Sequence, residues 1–179
     1  MNIPFLLLSG PPGVGKTTVS WEIFDQLVQE GHCPALVDID LLGASWPVPA
    51  DDPYNERLKA RNMRAMWSNF YAAGARCLIS AGVVESRAQL APYQSAIPEA
   101  VIILCRLQAG ADVLGARIAA RGRERGAGIE KLKERANYLS AQLARTDGAD
   151  IVIDTDNRSI PEVARLIRTS AGGWPHPIT

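Results

Sequence analysis

The stretch Gly10-Pro11-Pro12-Gly13-Val14-Gly15-Lys16-Thr17 follows directly on the apolar run Phe5 to Ser9 and leads into apolar positions of helical period at Val19, Ile23, Leu27 and Val28. It satisfies G-x-x-x-x-G-K-[ST], the pattern of a phosphate-binding loop set between a strand and a helix. Each residue type has a chemical role. The glycines let successive backbone N–H groups converge on phosphate oxygens, and the helix amino terminus adds partial positive charge. Lys16 is placed to reach the β and γ phosphates, and the Thr17 hydroxyl to ligate magnesium. A chance match in a chain of this length has a probability on the order of 1%, and the strand-before, helix-after context lowers it further. Residues Gly10 to Thr18 are therefore expected to hold the phosphates of ATP.

Beyond this loop, strand-length apolar runs at Phe5 to Ser9, Ala35 to Ile39, Arg76 to Ser80, Ala100 to Cys105 and Asp150 to Asp154 alternate with helical patterns. Helical spacing shows again at Met63, Met66, Trp67 and Phe70, at Ile129, Leu132, Leu139 and Leu143, and at Val163, Leu166 and Ile167. Such alternation predicts an α/β fold with a parallel sheet covered on both faces and a ligand crevice at the carboxyl ends of the strands. At 179 residues the chain suits one domain, expected over 1–171, because two halves would each bury too little surface. A long insertion at about 41–74 and an arginine-dense, glycine-punctuated stretch at about 117–128 depart from the alternation, and residues 172–179 are expected to form an irregular, frayed tail.

Charge and composition exclude several classes of function. The 19 basic and 19 acidic side chains cancel, so no global field draws the chain to nucleic acid. No run approaches the ~20 apolar residues of a membrane span, and Met1-Asn2-Ile3-Pro4 lacks the pattern of a secretory signal. Three cysteines, odd in number and far apart, suit a reduced cytoplasm. Neither His32 nor His176 lies in a cluster of metal-ligand spacing. The expected state is a monomer or homodimer.

An apolar strand ending in Asp or Asp-Glu, the usual second acidic motif of ATPases, is missing from the third and fourth strands, and no Asn-Lys-x-Asp signature occurs. This argues against motors, helicases, transporters and GTPases. Val37-Asp38-Ile39-Asp40 stands at the end of the second strand instead. Side chains at i and i+2 share one face of an extended chain, which aims both carboxylates into the crevice. With the phosphate loop, this pair resembles the P-loop small-molecule kinases of the shikimate, gluconate and adenylylsulfate kinase type. The likeness extends through Arg117, Arg121, Arg123 and Arg125 to Ile153 through Val163, where Asp154-Thr155-Asp156-Asn157-Arg158-Ser159-Ile160-Pro161 is similar to the adenine-proximal loop of shikimate kinases. Ser80-Ala81-Gly82-Val83-Val84-Glu85-Ser86 replaces the shikimate-type glycine triplet.

The resemblance implies a three-layer fold with strand order 2-3-1-4-5 and a short lid. It also implies that the D-x-D pair serves magnesium and the acceptor hydroxyl. Thr17 and Asp38 are thus expected at magnesium, and Asp40 at the acceptor as base or orienting group, with a turn-capping role as the alternative for the pair. By the same resemblance Arg117, Arg158 and Pro161 lie near adenine and Arg121 or Arg125 near the phosphates. Spacing of four puts Arg117, Arg121 and Arg125 on one face if the helix continues, with Gly122, Gly126 and Gly128 allowing a bending lid; a solvated charged face is the alternative. Arg57, Arg61 and Arg64 share a helical face suited either to gripping an anionic substrate or to solvent. Trp46, Trp67 and Tyr71 suit either an acceptor pocket or the core, while Glu85 and Arg87 follow the third strand beside the crevice.

These readings converge on transfer of the γ-phosphoryl group of Mg-ATP to a hydroxyl of a small-molecule acceptor, a metabolite or an antibiotic. An adenylylsulfate or nucleoside monophosphate kinase is the nearest alternative. An ATP-dependent switch that orders its lid for a protein partner is the rival from another class.

Overall fold

The protein is described by a computed structural model over residues 2–122, 126–146 and 148–175. Its strands are β1 (Ile3–Ser9), β2 (Pro34–Asp38), β3 (Cys77–Ala81), β4 (Ala100–Gln108) and β5 (Ile151–Asp154). All pairings are parallel, in the order β2-β3-β1-β4-β5. The central strands β1 and β3 are buried almost throughout, which is why they are continuous apolar runs and not alternating ones. Helices α1 (Lys16–Gln29), α2 (Ile39–Leu42), α3 (Glu56–Ala72), α4 (Ala91–Ala96), α5 (Ala111–Ala120), α6 (Ala127–Arg145) and α7 (Ile160–Ser170) supply the connections.

Alternate side chains of β1 feed two separate cores. Leu6 and Leu8 pack with Val19, Ile23 and Leu27 of α1, Leu114 and Ile118 of α5 and Val163 and Ile167 of α7. Phe5 and Leu7 pack on the other face with Met63 and Trp67 of α3 and with Tyr93 of α4. The result is helix, sheet and helix in three layers. The insertion contains the short helix α2 and the long helix α3, joined by residues 43–55. Asp52 starts α3: its carboxylate, nearly buried, accepts from the backbone N–H groups of Glu56 at 2.8 Å and Arg57 at 3.0 Å, satisfying donors that a helix start leaves open.

The expectation of a frayed tail is not met as far as Pro175. Trp174 is 1% exposed and belongs to the α1 and α7 core. Its backbone N–H donates to the Arg168 carbonyl at 3.1 Å, and Arg168 Nε donates back to the Trp174 carbonyl at 3.1 Å. The indole thus completes the apolar layer that α7 alone leaves short. Residues 176–179, including His176, lie outside the described residues. Replacing Trp174 with Ala removes a fully packed indole, and a loss of about 3–5 kcal/mol is expected, measurable as a lower urea midpoint at unchanged m-value.

Candidate active site

Strand β1 ends at Ser9, and residues 10–15 turn back over the strand end before α1 begins at Lys16. The turn needs its glycines. Gly10, Gly13 and Gly15 have φ of 147°, 83° and 101°, values that L side chains rarely adopt. A Cβ on Gly10 would stand 2.5 Å from the Leu107 carbonyl oxygen, and one on Gly13 would stand 2.9 Å from Ile118 Cγ1. The loop is therefore clamped between β4 and α5. Lys16 Nζ donates to the carbonyls of Gly10 at 2.8 Å and Pro11 at 3.2 Å, which holds the ammonium across the mouth of the loop.

Burial lowers the Lys16 pKa to about 8, opposed by the charge of Asp40, reinforced by Arg121 and opposed again by Asp38. Asp40, Arg121 and Asp38 thus all lie within electrostatic reach of the ammonium. Partial desolvation raises the Asp40 pKa above the usual range, Lys16 opposes the rise, and the nearby Asp38 carboxylate adds to it. A hydrogen bond from the Val83 backbone to Asp40 also favours the charged carboxylate. Val83 is held in place by its neighbours. The Ser9 hydroxyl donates to the Val84 carbonyl at 2.8 Å and accepts from the Val84 N–H at 3.0 Å, and the Gly82 N–H donates to the Leu8 carbonyl at 3.1 Å. The segment after β3 is thereby pinned over the end of β1, next to the phosphate loop.

The two carboxylates do not share a strand face. Strand β2 stops at Asp38, and Asp40 already lies in α2. Asp38 Oδ1 accepts from the Asp40 N–H at 3.0 Å, so the capping role and the crevice position coexist in one pair. The turn brings Asp40 beside Lys16 by a helix start, not by strand alternation. Thr17 lies in the first turn of α1, half-buried and one residue after Lys16.

On the nucleotide side, a cavity of about 350 Å³ is lined in part by Gly13, Gly15, Thr18, Arg117, Arg121 and Arg158. Arg117 forms its wall. Its Nη1 donates to Thr155 Oγ1 at 2.8 Å and its Nη2 to the Thr155 carbonyl at 3.0 Å, while Nη1 also lies 3.5 Å from the Val14 carbonyl. The guanidinium therefore ties the phosphate loop to the turn after β5. Arg158 Nη1 donates to the Asp154 carbonyl at 2.6 Å. Ile160 and Val163 line this cavity where Pro161, expected there, does not; the Pro161 carbonyl instead lies 3.5 Å from Gln26 Nε2. Helix α5 ends at Ala120 with Arg121 as its C-cap, so Arg117 and Arg121 share its last turn. Gly122 and Gly126 have φ of 66° and 54°. Arg123 and Arg125 lie outside the described residues.

The acceptor-side expectations separate. Arg57 is paired with Asp51 at 2.5 Å and lies 3.9 Å from Asp52, and Arg87 is ion-paired with Asp150. Arg61 is exposed on α3, one turn beyond Arg57. Trp67 and Tyr71 line, with Arg64, Arg76 and Cys33, a cavity of about 860 Å³ at the amino ends of the strands, so the Trp67 indole packs at the opposite end of the sheet from Lys16. Trp46 is 89% exposed. Glu85 is half-buried in the segment after β3, its N–H donating to Gln89 Oε1 at 2.7 Å.

Three further residues gather near Asp40. Lys59 acts on the Asp40 charge and donates to Glu56 Oε1 at 2.9 Å, and the Tyr93 hydroxyl donates to Glu56 Oε2 at 3.3 Å. Burial raises the Tyr93 pKa, and Glu56 and Asp40 raise it further, keeping the phenol a donor. The local signal for Glu56 and Lys59 was their spacing of three at the start of α3; nothing local marks Tyr93. Among the described residues no group of three or more His, Cys, Asp or Glu side chains is gathered to hold a metal, and no helix is long and apolar enough to cross a membrane.

No protein-family model matches the chain. A stretch of 42 residues is 52% identical to cytosolic Fe-S cluster assembly factor homologues of Culex quinquefasciatus and Drosophila ananassae, and spans 24% of this chain and 16% of each of those proteins. Solved structures resemble nearly the whole chain. A sugar kinase from Janibacter superposes with a TM-score of 0.65 at 17% identity, covering 98% of this chain and 97% of its own. The Mycobacterium tuberculosis APS kinase, solved with AMPPNP and APS, gives 0.62 at 18% identity, with 96% and 98% covered. The Deinococcus radiodurans tunicamycin resistance protein gives 0.61 at 19% identity, with 96% of each chain covered. The chain has the three-layer α/β fold of the P-loop small-molecule kinases.

Proposed function

We propose that the chain transfers the γ-phosphoryl group of ATP to a hydroxyl of a small-molecule acceptor. The observation that carries this reading is the Lys16 ammonium held over the carbonyls of Gly10 and Pro11, within electrostatic reach of the Asp40 carboxylate, on a loop whose backbone has no room for a Cβ at Gly10 or Gly13. A loop that served only as a turn needs no lysine drawn across it and no carboxylate opposite.

The residues fit a nucleoside triphosphate. The loop amides and Lys16 would take the phosphates, Arg117 and Arg158 would border the base and ribose, and Arg121 would approach the transferring group. Magnesium, when bound, neutralises phosphate charge, and the Thr17 hydroxyl with the free oxygen of Asp38 supplies the hard oxygen donors it takes. Asp40 accepts the acceptor's hydroxyl proton as the acceptor oxygen bonds to the γ phosphorus and the bond to the β–γ bridging oxygen breaks, releasing ADP. Positioning and charge neutralisation dominate such a reaction, and a carboxylate of raised pKa is the better base near neutrality. The names of the structural neighbours, kinases of a sugar and of APS, support the same class. Three free thiols, Cys33 exposed and Cys77 and Cys105 buried, fit the reducing cytoplasm in which ATP is consumed.

Two outcomes follow. Asp40→Asn is expected to lower transfer by 10²–10⁴-fold, on the scale of a lost general base, while ATP affinity, measured calorimetrically, stays within about threefold because the carboxylate does not hold the triphosphate. The second concerns Lys16. Its pKa of about 8 rises when a triphosphate neighbours it, so binding takes up a proton. ATP affinity is therefore expected to be flat below pH 8 and to weaken by up to about tenfold per pH unit above it, a slope that Lys16→Ala abolishes along with roughly 10–100-fold of affinity.

A further inference from the structure

We infer that one face of α3 positions Asp40: the carboxamides of Asn55 and Asn62 clamp the one-turn helix α2 that carries it. This rests on the kinase reading above and names two positioning residues of that same site, which act through Asp40 and not on the substrates.

Helix α2 cannot hold its own place. It has four residues, Ile39–Leu42, and a single turn gains too few hydrogen bonds to offset the order it imposes. The Asp38 carboxylate caps only its start, and the carbonyls at a helix end need partners from elsewhere. Asp40 lies between Ile39, 1% exposed, and Leu41, 72% exposed. A roll or slide of the turn would therefore swing the Asp40 carboxylate relative to the phosphate loop.

Two attachments fix the turn. At its start, Ile39 packs under the segment after β3, so closely that a Cβ on Gly82 would stand 2.9 Å from Ile39 Cβ. At its end, α3 supplies donors to the open carbonyls. Asn62 Nδ2 donates to the Leu42 carbonyl at 2.7 Å, and Asn55 Nδ2 to the Gly43 carbonyl at 2.8 Å. Positions 55, 59 and 62 are spaced by four and three, so they share one face of the helix. Between the two carboxamides the Lys59 stem crosses Gly43, where a Cβ would stand 2.7 Å from Lys59 Cε and 3.3 Å from Asn55 Cβ. The backbone of Asn55 prepares this contact. Its φ of 55° is one that Asn adopts more readily than most side chains, and its carbonyl accepts from the Lys59 N–H at 2.7 Å as α3 begins. Asn55 is buried and Asn62 half-buried, so water does not readily replace either bond.

The test uses the whole protein with Asn62→Leu and Asn55→Gly. Leu approximates the volume of Asn without its donor, and Gly accepts the φ at position 55. Hydrogen exchange read by mass spectrometry is expected to show residues 39–43 exchanging at least about 10-fold faster in each variant, while β1 keeps the parent's rates. Transfer is read in a single turnover with γ-labelled Mg-ATP and glucose, adenosine or APS as probe acceptor. Each variant is expected to lower the transfer rate about 10–100-fold, the scale of an ångström's misplacement, with ATP affinity within about threefold of the parent. Combined with Asp40→Asn, either is expected to lower transfer less than about twofold further, whereas losses at independent sites multiply. Parent exchange rates over 39–43, or losses that multiply with Asp40→Asn, overturn the inference and leave the kinase reading standing. ATP binding with no transfer to any probe in the parent counts against the kinase reading alone, and the exchange rates still uphold or overturn the clamp.

Discussion

Everything at the carboxyl end of this sheet depends on how closely the turn after β1 is packed. Gly10 sits against the Leu107 carbonyl and Gly13 against Ile118, so a bare backbone ribbon is wedged between β4 and α5. This contact fixes the path of the loop into the start of α1 at Lys16. The lysine bonds its own loop carbonyls, and its lowered pKa is the electrostatic consequence of being held there. A side chain at either glycine would move the loop, and with it the helix start whose N–H groups make the site electropositive.

Two smaller devices extend that order outward. Ser9, the last residue of β1, exchanges hydrogen bonds with both backbone groups of Val84, so the segment after β3 carries Val83 to Asp40. Arg117 does the corresponding work on the other side, joining Val14 to Thr155. The phosphate loop is thus tied on one side to the segment after β3 and on the other to the turn after β5. Sites on rigid elements hold the sub-ångström geometry that phosphoryl transfer requires.

Much of this was legible in the residues. The loop motif, the five strands and their order follow from glycine chemistry, apolar period and the resemblance, because those signals are local or shared by the whole fold. Asp40 was legible as a crevice carboxylate but for an incomplete reason: a period-2 argument assumes that the strand continues, and here Asp38 ends it by capping α2. Trp67 follows helical spacing into the core and Tyr71 stays exposed beside it, both at the far end of the sheet, since α3 is long enough to carry its second half away from the crevice. Tyr93 is brought to Glu56 only by the packing of α4 on α3, which no local pattern encodes. Trp174 follows two glycines and precedes a proline, so its neighbours suggest a loop end, while its burial depends on the gap that α1 and α7 leave between them.

A kinase and an ATP hydrolase differ in whether the γ-phosphoryl group leaves ATP for an acceptor hydroxyl or for water. The most direct measurement follows ATP labelled in its γ phosphorus through a single turnover with an accepted hydroxyl compound. The label is expected as a phosphate ester on the acceptor, one per ADP formed, and this transfer is expected to be lost in Asp40→Asn. Recovery of the label only as inorganic phosphate, in the parent protein and at the same rate with or without acceptor, would contradict the kinase reading.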